Sequence, residues 1–336
     1  MLTPMLAKIR RCYPDAVIYF LVSDQYVELY EKSPYRIKAL GFNPRSFQSY
    51  FELRKRVESV DIAMVPGDNR FSSLAYSLGS KWIVAFEDVP GAWLKNLFVD
   101  EFVAIPSEAI NWEDMNLKLI PCDNHSGNDF LYNKTDWASP AFAPYRRPEN
   151  YVVLHVGASG PLKYWQEPKW LELAGRLASL GYEVVWTASP KEQRLIDQID
   201  PSHQFQSYSN LSLAQLWHLI EHAELVICPD TGVAHLAKLT DTPVIVLFGQ
   251  GSDVLFGKGL FFENHRFYRP IIIDDIACRD THQLFKRRIS WVRRCNRTIK
   301  QCQNNICMKN ISVDQVFDKV VEFRSLNYPF QPLNAE

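Results

Sequence analysis

Several things are scarce in this sequence, and each scarcity excludes a class of protein. No apolar run approaches the roughly 20 residues that a membrane-spanning helix needs. The N-terminus, "MLTPMLAKIRRCYPDAV", lacks the order of a secretory signal, because its positive charges follow the apolar residues instead of preceding them. The chain has almost no net charge, −1 at pH 7, so no general electrostatic attraction draws it to nucleic acid or to an acidic membrane. No C-x₂-C knuckle and no repeat of solenoid length occur. These absences point to a cytosolic protein whose seven cysteines are reduced or metal-bound, not paired in a disulfide framework.

What remains is ample for two cores. The 336 residues are 47% hydrophobic and 22% charged, which suits a soluble chain of two ordinary domains. The pattern opens with a helix over "MLAKIRRCYPDA", closed by arginines and a proline. Strand runs come next at "VIYFLV", "SVDIAMVP" and "KWIVAFE", with helical stretches between them. Residues 119–150 are rich in Asn, Asp, Ser and Pro without period and read as a linker, with the boundary near "APYRRPENY". Beyond it the alternation is cleaner: "YVVLHVGAS", "PKWLELAGRLASLGYEVVWTAS" and "SLAQLWHLIEHAELVICPDTGVAHLAKLTDTPVIVLFG" give strand and helix in turn. The expectation is α/β, with two Rossmann-like domains facing across a cleft: residues 1–145, residues 146–325 with a cysteine-bearing segment at 278–307, and a tail at 326–336. The first domain departs from that fold, which opens with a central strand where this chain opens with a helix. Without that strand, its neighbours are left with unpaired backbone groups.

Two loops carry candidate chemistry. In "CPDTGVAH", a strand ending at Cys228 sets Asp230, Thr231 and Gly232 at the carboxyl edge of the sheet, where open α/β folds bind ligands. The N–H groups opening the next helix suit phosphate, Gly232 allows close approach, and His235 lies one turn on. A plain helix cap with a packed histidine fits the same spacing. In "HVGASGPLKYW", Gly157 and Gly160 precede Lys163, which suits a phosphate loop with lysine as point charge. It does not match the Walker pattern, and a glycine turn with a solvent lysine fits it too.

These segments, with the tail "CMKNISVDQV", resemble glycosyltransferase family 9, the bacterial heptosyltransferases, over most of residues 150–325. The resemblance implies a GT-B fold and inverting transfer of heptose, or a related sugar, from an ADP-sugar to a lipopolysaccharide or lipooligosaccharide core acceptor, with no catalytic metal. It implies that Ser159, Lys163 and the backbone at Thr231 and Gly232 contact the diphosphate. Asp230 and His235 would lie beside the sugar or phosphates, and Leu211 near the adenine. The protein would be cytoplasmic, with peripheral contact at the inner membrane, and would have no nucleic-acid partner. The family begins with a strand and a loop carrying an aspartate base. "LTPMLAKIRRCYPDA" resembles the segment just after that loop, so the base is expected upstream of Met1 and the catalytic residue is unknown here. Asp68 and Asp88 are the nearby acids. Two alternatives stand beside this reading: a remnant that binds nucleotide-sugar but turns over poorly, and a heptosyltransferase that modifies protein.

Cys278, Cys295, Cys302 and Cys307, separated by sixteen, six and four residues, could hold a structural zinc or iron; buried free thiols are the plainer reading. The segment between, "LFKRRISWVRR", reads as a solvated helical face or as part of a surface facing an anionic acceptor. The glycines of "GQGSDVLFGKG" fit either a mobile loop near the diphosphate or an ordinary surface turn.

Overall fold

The computed structural model describes residues 1–88, 93–122, 130–274, 276–302 and 304–326. The expected tail therefore lies, but for its first residue, outside the described residues. Two compact units emerge: residues 1–140, 254–261 and 281–294 in the first, and 141–253, 262–280 and 295–336 in the second.

The first unit opens with α1 (Thr3–Cys12), whose first turn carries proline and whose last carries Arg10 and Arg11. β1 (Ile18–Val22) comes next and pairs in parallel with β2 (Ile37–Gly41), a strand the sequence pattern does not reveal. After α2 (Phe47–Arg56) come β3 (Val60–Val65), α3 (Ser72–Ser77), β4 (Ser80–Phe86), α4 (Trp93–Asn96), β5 (Glu101–Val103) and α5 (Trp112–Asn116). β3, β4 and β5 form a separate parallel sheet. α1 holds the two sheets together by packing Leu6 against Ile18 and Ile37 and Met5 against Val84 and Phe86.

Three expectations change in this unit. Part of the supposed linker is anchored: Tyr132 and Trp137 are buried, and the Trp137 indole donates to the Leu29 carbonyl. Cys12 and Cys122 are not free thiols but a disulfide. The contact arises because α1 lies along the end of α5, with Lys8 Nζ donating to the Leu117 carbonyl and the Tyr13 hydroxyl to that of Pro121. The basic segment is not a helix. It packs Leu284, Ile289 and Val292 into the core with Val84, Phe86 and Trp112, and so belongs to the first unit.

The second unit is one parallel sheet. Its strands are β6 (Tyr151–His155), β7 (Glu183–Thr187), β8 (Gln206–Tyr208), β9 (Leu225–Pro229), β10 (Val244–Phe248) and β11 (Tyr268–Ile272), in spatial order β11-β10-β9-β6-β7-β8. Helices α6 (Glu167–Ser179), α7 (Gln193–Ile199), α8 (Leu213–Glu221) and α9 (Gly232–Thr240) connect them. β6, β9 and β10 are buried at every position, as unbroken runs of Val, Ile and Leu require when both faces of a sheet are covered. Trp170 and Trp186 lie fully inside that core, and truncating either to alanine would cost about 3–5 kcal/mol. The chain then returns to the first unit through a two-residue hairpin, β12 (Gln283–Leu284) and β13 (Arg287–Arg288), closed further out by the Thr281–Arg294 bridge.

Candidate functional site

Strand order decides where the candidate residues meet. β6, the first strand of the second unit, lies in mid-sheet; β7 and β8 continue on one side of it, and β9 to β11 on the other. This is the reversal at which open α/β sheets leave a crevice beyond the carboxyl ends of their strands. The loop after β6 carries Ser159 and Lys163, and the loop after β9 carries Asp230 and Thr231. Because β6 and β9 are direct neighbours, the two loops lie side by side.

Lys163 joins them. Its Nζ donates to the Asp230 carbonyl at 2.8 Å and to Asp230 Oδ2 at 3.0 Å. Both side chains are largely buried, with 22% and 10% of their surface exposed. On its other side the Asp230 carboxylate lies so close to Gly251, after β10, that a Cβ there would have no room. Thr231 caps α9, its side chain accepting from the Val233 N–H at 3.3 Å. The cap reading is thus correct, and the Ala234 N–H also turns back, to the Thr231 carbonyl at 3.2 Å.

Gly160 and Gly232 separate a turn from a cradle. Neither has a positive φ, and a Cβ on either would meet nothing within 4 Å. The backbone does not require glycine there; the open space beside it is what glycine leaves. Gly157 differs, because its missing Cβ makes room for Glu192, a residue that sequence reasoning passed over. Glu192 Oε1 accepts from the Ala158 N–H at 2.8 Å and from the Tyr164 hydroxyl at 3.1 Å, and so pins the glycine loop. Burial works against its ionisation, but donors from Ser189, Ala158 and Tyr164 outweigh burial and hold its pKa low. The available signal was the capping pair Ser189–Glu192 just past the end of β7. His155, at the end of β6, is pushed down to about 4 by burial and shares a hydrogen bond with Thr187.

Of the other expected residues, Ser159 is exposed in the glycine loop and His235 half-buried one turn into α9. Leu211 precedes the Ser212 cap of α8, the helix that leads from the far edge strand β8 back to β9. The glycine-rich loop after β10 is tied down at its start: the Gln250 carbonyl accepts from the Cys295 N–H, and Arg279 holds the Gly249 carbonyl. Among the described residues no three His, Cys, Asp or Glu side chains are gathered to hold a metal ion. Cys278, Cys295, Cys302 and Cys307 are neighbours, close enough that Cys295 and Cys302 add to the burial that raises the Cys278 pKa. Two of these thiols have other neighbours. Cys307 faces Asn305, and Cys295 lies against Gln250 and Arg297.

The acids of the first unit are also engaged. Asp68 caps residues 69–71 and pairs with Lys95 at 3.1 Å; burial opposes its ionisation, but the Arg70 N–H and Lys95 prevail and lower its pKa. Asp88 is buried 4.0 Å from the Arg287 guanidinium.

Comparison with known proteins agrees with this geometry. Residues 98–267 match the family model described as glycosyltransferase family 9 (heptosyltransferase). Lipopolysaccharide heptosyltransferase 3 of Escherichia coli is 26% identical over 283 residues, 76% of this chain and 81% of its own length. Lipopolysaccharide heptosyltransferase 1 of E. coli K12 is 30% identical over 111 residues, 32% of this chain and 34% of its own. Among solved structures, a family 9 glycosyl transferase from Veillonella parvula has a TM-score of 0.74 at 14% identity, covering 97% of this chain and 93% of that one. E. coli ADP-heptose lps heptosyltransferase II has a TM-score of 0.64 at 14% identity, covering 96% and 94%. At these identities the structural likeness speaks for the fold.

Proposed function

The chain belongs to glycosyltransferase family 9, and from that premise we propose that it transfers heptose, or a related sugar, from an ADP-sugar to a saccharide of the lipopolysaccharide core. The observation that carries the reading is the Lys163–Asp230 pair at the reversal of the second unit's sheet. A transferase working without a catalytic metal must stabilise a departing diphosphate with fixed cations and N–H donors. Lys163 supplies the cation. The N-terminus of α9, nine residues long, supplies dipole and donors. Gly160 and Gly232 leave the approach open, and Ser159 adds a hydroxyl in the same loop. In this reading the incoming diphosphate competes with Asp230 for Lys163, and the displaced carboxylate is free to accept from sugar hydroxyls. His235 donates to a phosphate or sugar oxygen from the helix turn above, and Leu211 borders the adenine. Direct attack by the acceptor would invert the anomeric centre. No residue is assigned as the base.

Calorimetry with ADP tests the donor site. The wild type should bind, and a Lys163→Ala, His235→Ala double variant should lose at least tenfold in affinity; undiminished binding by the variant would sink the assignment. Release of ADP in the presence of ADP-heptose and heptose-deficient lipopolysaccharide tests the transfer. A second reading, binding without turnover, draws on the division of the first unit's strands into two sheets. It predicts donor binding with no ADP release.

Two finer points complete the proposal. The protein works at a cytoplasmic membrane surface, supported by Phe47 and Phe51, one turn apart on α2 and 86% and 61% exposed, beside Arg54 and Lys55. A Phe47→Ser, Phe51→Ser variant should lose sedimentation with anionic vesicles, and equal sedimentation of both proteins removes this contact. The four neighbouring cysteines hold a structural zinc or iron after local rearrangement; purified protein with no metal in stoichiometric amount would end that idea.

A further inference from the structure

The hairpin of the first unit is built against local preference. A two-residue turn between antiparallel strands favours Asn-Gly, because both central residues take positive φ. Here those residues are Phe285 and Lys286, at φ 47° and 69°. A bulky side chain in this conformation is a genuine outlier, and such strain is kept only where surrounding structure over-determines it.

The surroundings do so. The Arg287 guanidinium, buried, donates to the carbonyls of Glu87 and Gly67 and to Asn69 Oδ1 at 2.6 Å. Phe285 lies over Gly67 and packs on Trp112 with ring centroids 4.7 Å apart. Gly67 and Asn69 come after β3, and Glu87 after β4, so the hairpin is riveted to the carboxyl ends of two parallel strands, the edge at which such sheets present ligand sites. At its tip the Lys286 and Arg288 side chains are exposed, and neither side chain has an ion-pair or hydrogen-bond partner among the described residues. Of the acids beside Arg287, Asp68 pairs with Lys95 and Asp88 lies 4.0 Å from the guanidinium.

We propose that this hairpin is a specificity element for the transfer reaction: Lys286 and Arg288 bind an anionic group, phosphate or carboxylate, on the acceptor saccharide. The inference rests on the transferase reading above and adds to it the charge of the acceptor and the residues that select it. A strained tip with two unanswered cations on a rigid root is costly as architecture and useful as a fixed binding point.

The test is direct binding, independent of turnover. Core oligosaccharide from a heptose-deficient strain, with and without enzymatic removal of its phosphates, is titrated into the full-length protein by calorimetry. A third sample has its sugar-acid carboxyls reduced. Wild type should prefer an anionic form. Lys286→Asn and Arg288→Gln should each weaken it about three- to tenfold, abolish the preference when combined, and leave ADP affinity unchanged. Lys286→Arg should restore binding. Asn accepts positive φ, so Lys286→Asn should leave Tm unchanged or raise it by about 1–3 °C, which separates lost charge from misfolding. Loss of the preference with phosphate removal identifies phosphate as the anion, and loss with carboxyl reduction identifies carboxylate. Equal affinity of wild type for all three saccharides, or binding within twofold of wild type in the combined variant, overturns the inference. Failure of ADP to bind wild type sinks the donor site while leaving this result standing.

Discussion

Asp230 offers the sharpest test of the donor site, because its removal should improve one function and harm another. In the free protein Lys163 is held by two oxygens of Asp230, at 2.8 and 3.0 Å. A diphosphate that recruits Lys163 gains a charge-assisted interaction of about 1.5–3 kcal/mol, but it must break the bond to Oδ2 and bear the nearby negative charge. Asp230→Asn keeps the shape and the carbonyl contact while removing that competition. We expect ADP affinity to rise by about three- to tenfold, roughly 0.7–1.4 kcal/mol. Lys163→Met removes the cation and should lower affinity by about tenfold or more. With the lysine gone, less is left for Asp230→Asn to release, so the double variant should show a coupling of about 0.5–1 kcal/mol instead of the sum of its parts. Calorimetry at two salt concentrations reads all four corners of the cycle. The Asp230→Asn gain should be the more salt-sensitive at low ionic strength, since both groups are partly exposed. Strict additivity, or ADP affinity indifferent to both changes, would refute the idea that the pair is the gate to the diphosphate site. Transfer rate should fall in Asp230→Asn even as ADP binds better, if the carboxylate holds sugar hydroxyls.

Three further outcomes are expected from the same geometry. Gly232→Ala should raise stability by up to about 1 kcal/mol, because alanine suits a helix and nothing lies within 4 Å of its Cβ, yet weaken ADP binding at least tenfold; unchanged binding would mean that the space is not used. His155 has its pKa depressed from 6.5 to about 4, so its stabilising difference is full above pH 6.5 and withdrawn as pH falls toward 4. That amounts to roughly 3 kcal/mol in denaturant melts, abolished in His155→Gln, and refuted if the imidazole titrates near 6.5 by NMR. Thiol titration of the unfolded, unreduced protein should find five reactive cysteines, whereas seven would exclude the Cys12–Cys122 link; reduction should cost up to about 4–5 kcal/mol for a loop spanning 110 residues.

How legible all this was in the sequence depended on burial. "YVVLH", "LVICP" and "VIVLF" announce themselves because both faces of β6, β9 and β10 are covered, which favours nearly unbroken apolar runs. β2, β5 and β8 did not, being short elements that mix exposed and covered positions, with Lys38, Phe102 and Gln206 exposed. "FKRRISWVRR" misled because cations at close spacing look like a solvated helical face, and nothing local says that Arg287 is buried on three acceptors from elsewhere in the chain. Both donor loops could be named from their glycines and charges. That they touch could not, since it depends on β6 lying beside β9, a fact of strand order and not of spacing. Glu192 was hidden for the same reason: its capping role is local, but its grip on Ala158 is not.

The two units are interleaved along the chain: it leaves the first after residue 140, returns for 254–261 and again for 281–294. A gene cut near residue 146, the obvious place from composition, would therefore not yield two independent halves. The C-terminal fragment would carry Leu284, Ile289 and Val292 with no partner to cover them. The N-terminal fragment would lack the residues that fill its core between Val84 and Trp112. Each piece would be sticky alone, and the two would be expected to recover solubility when made together.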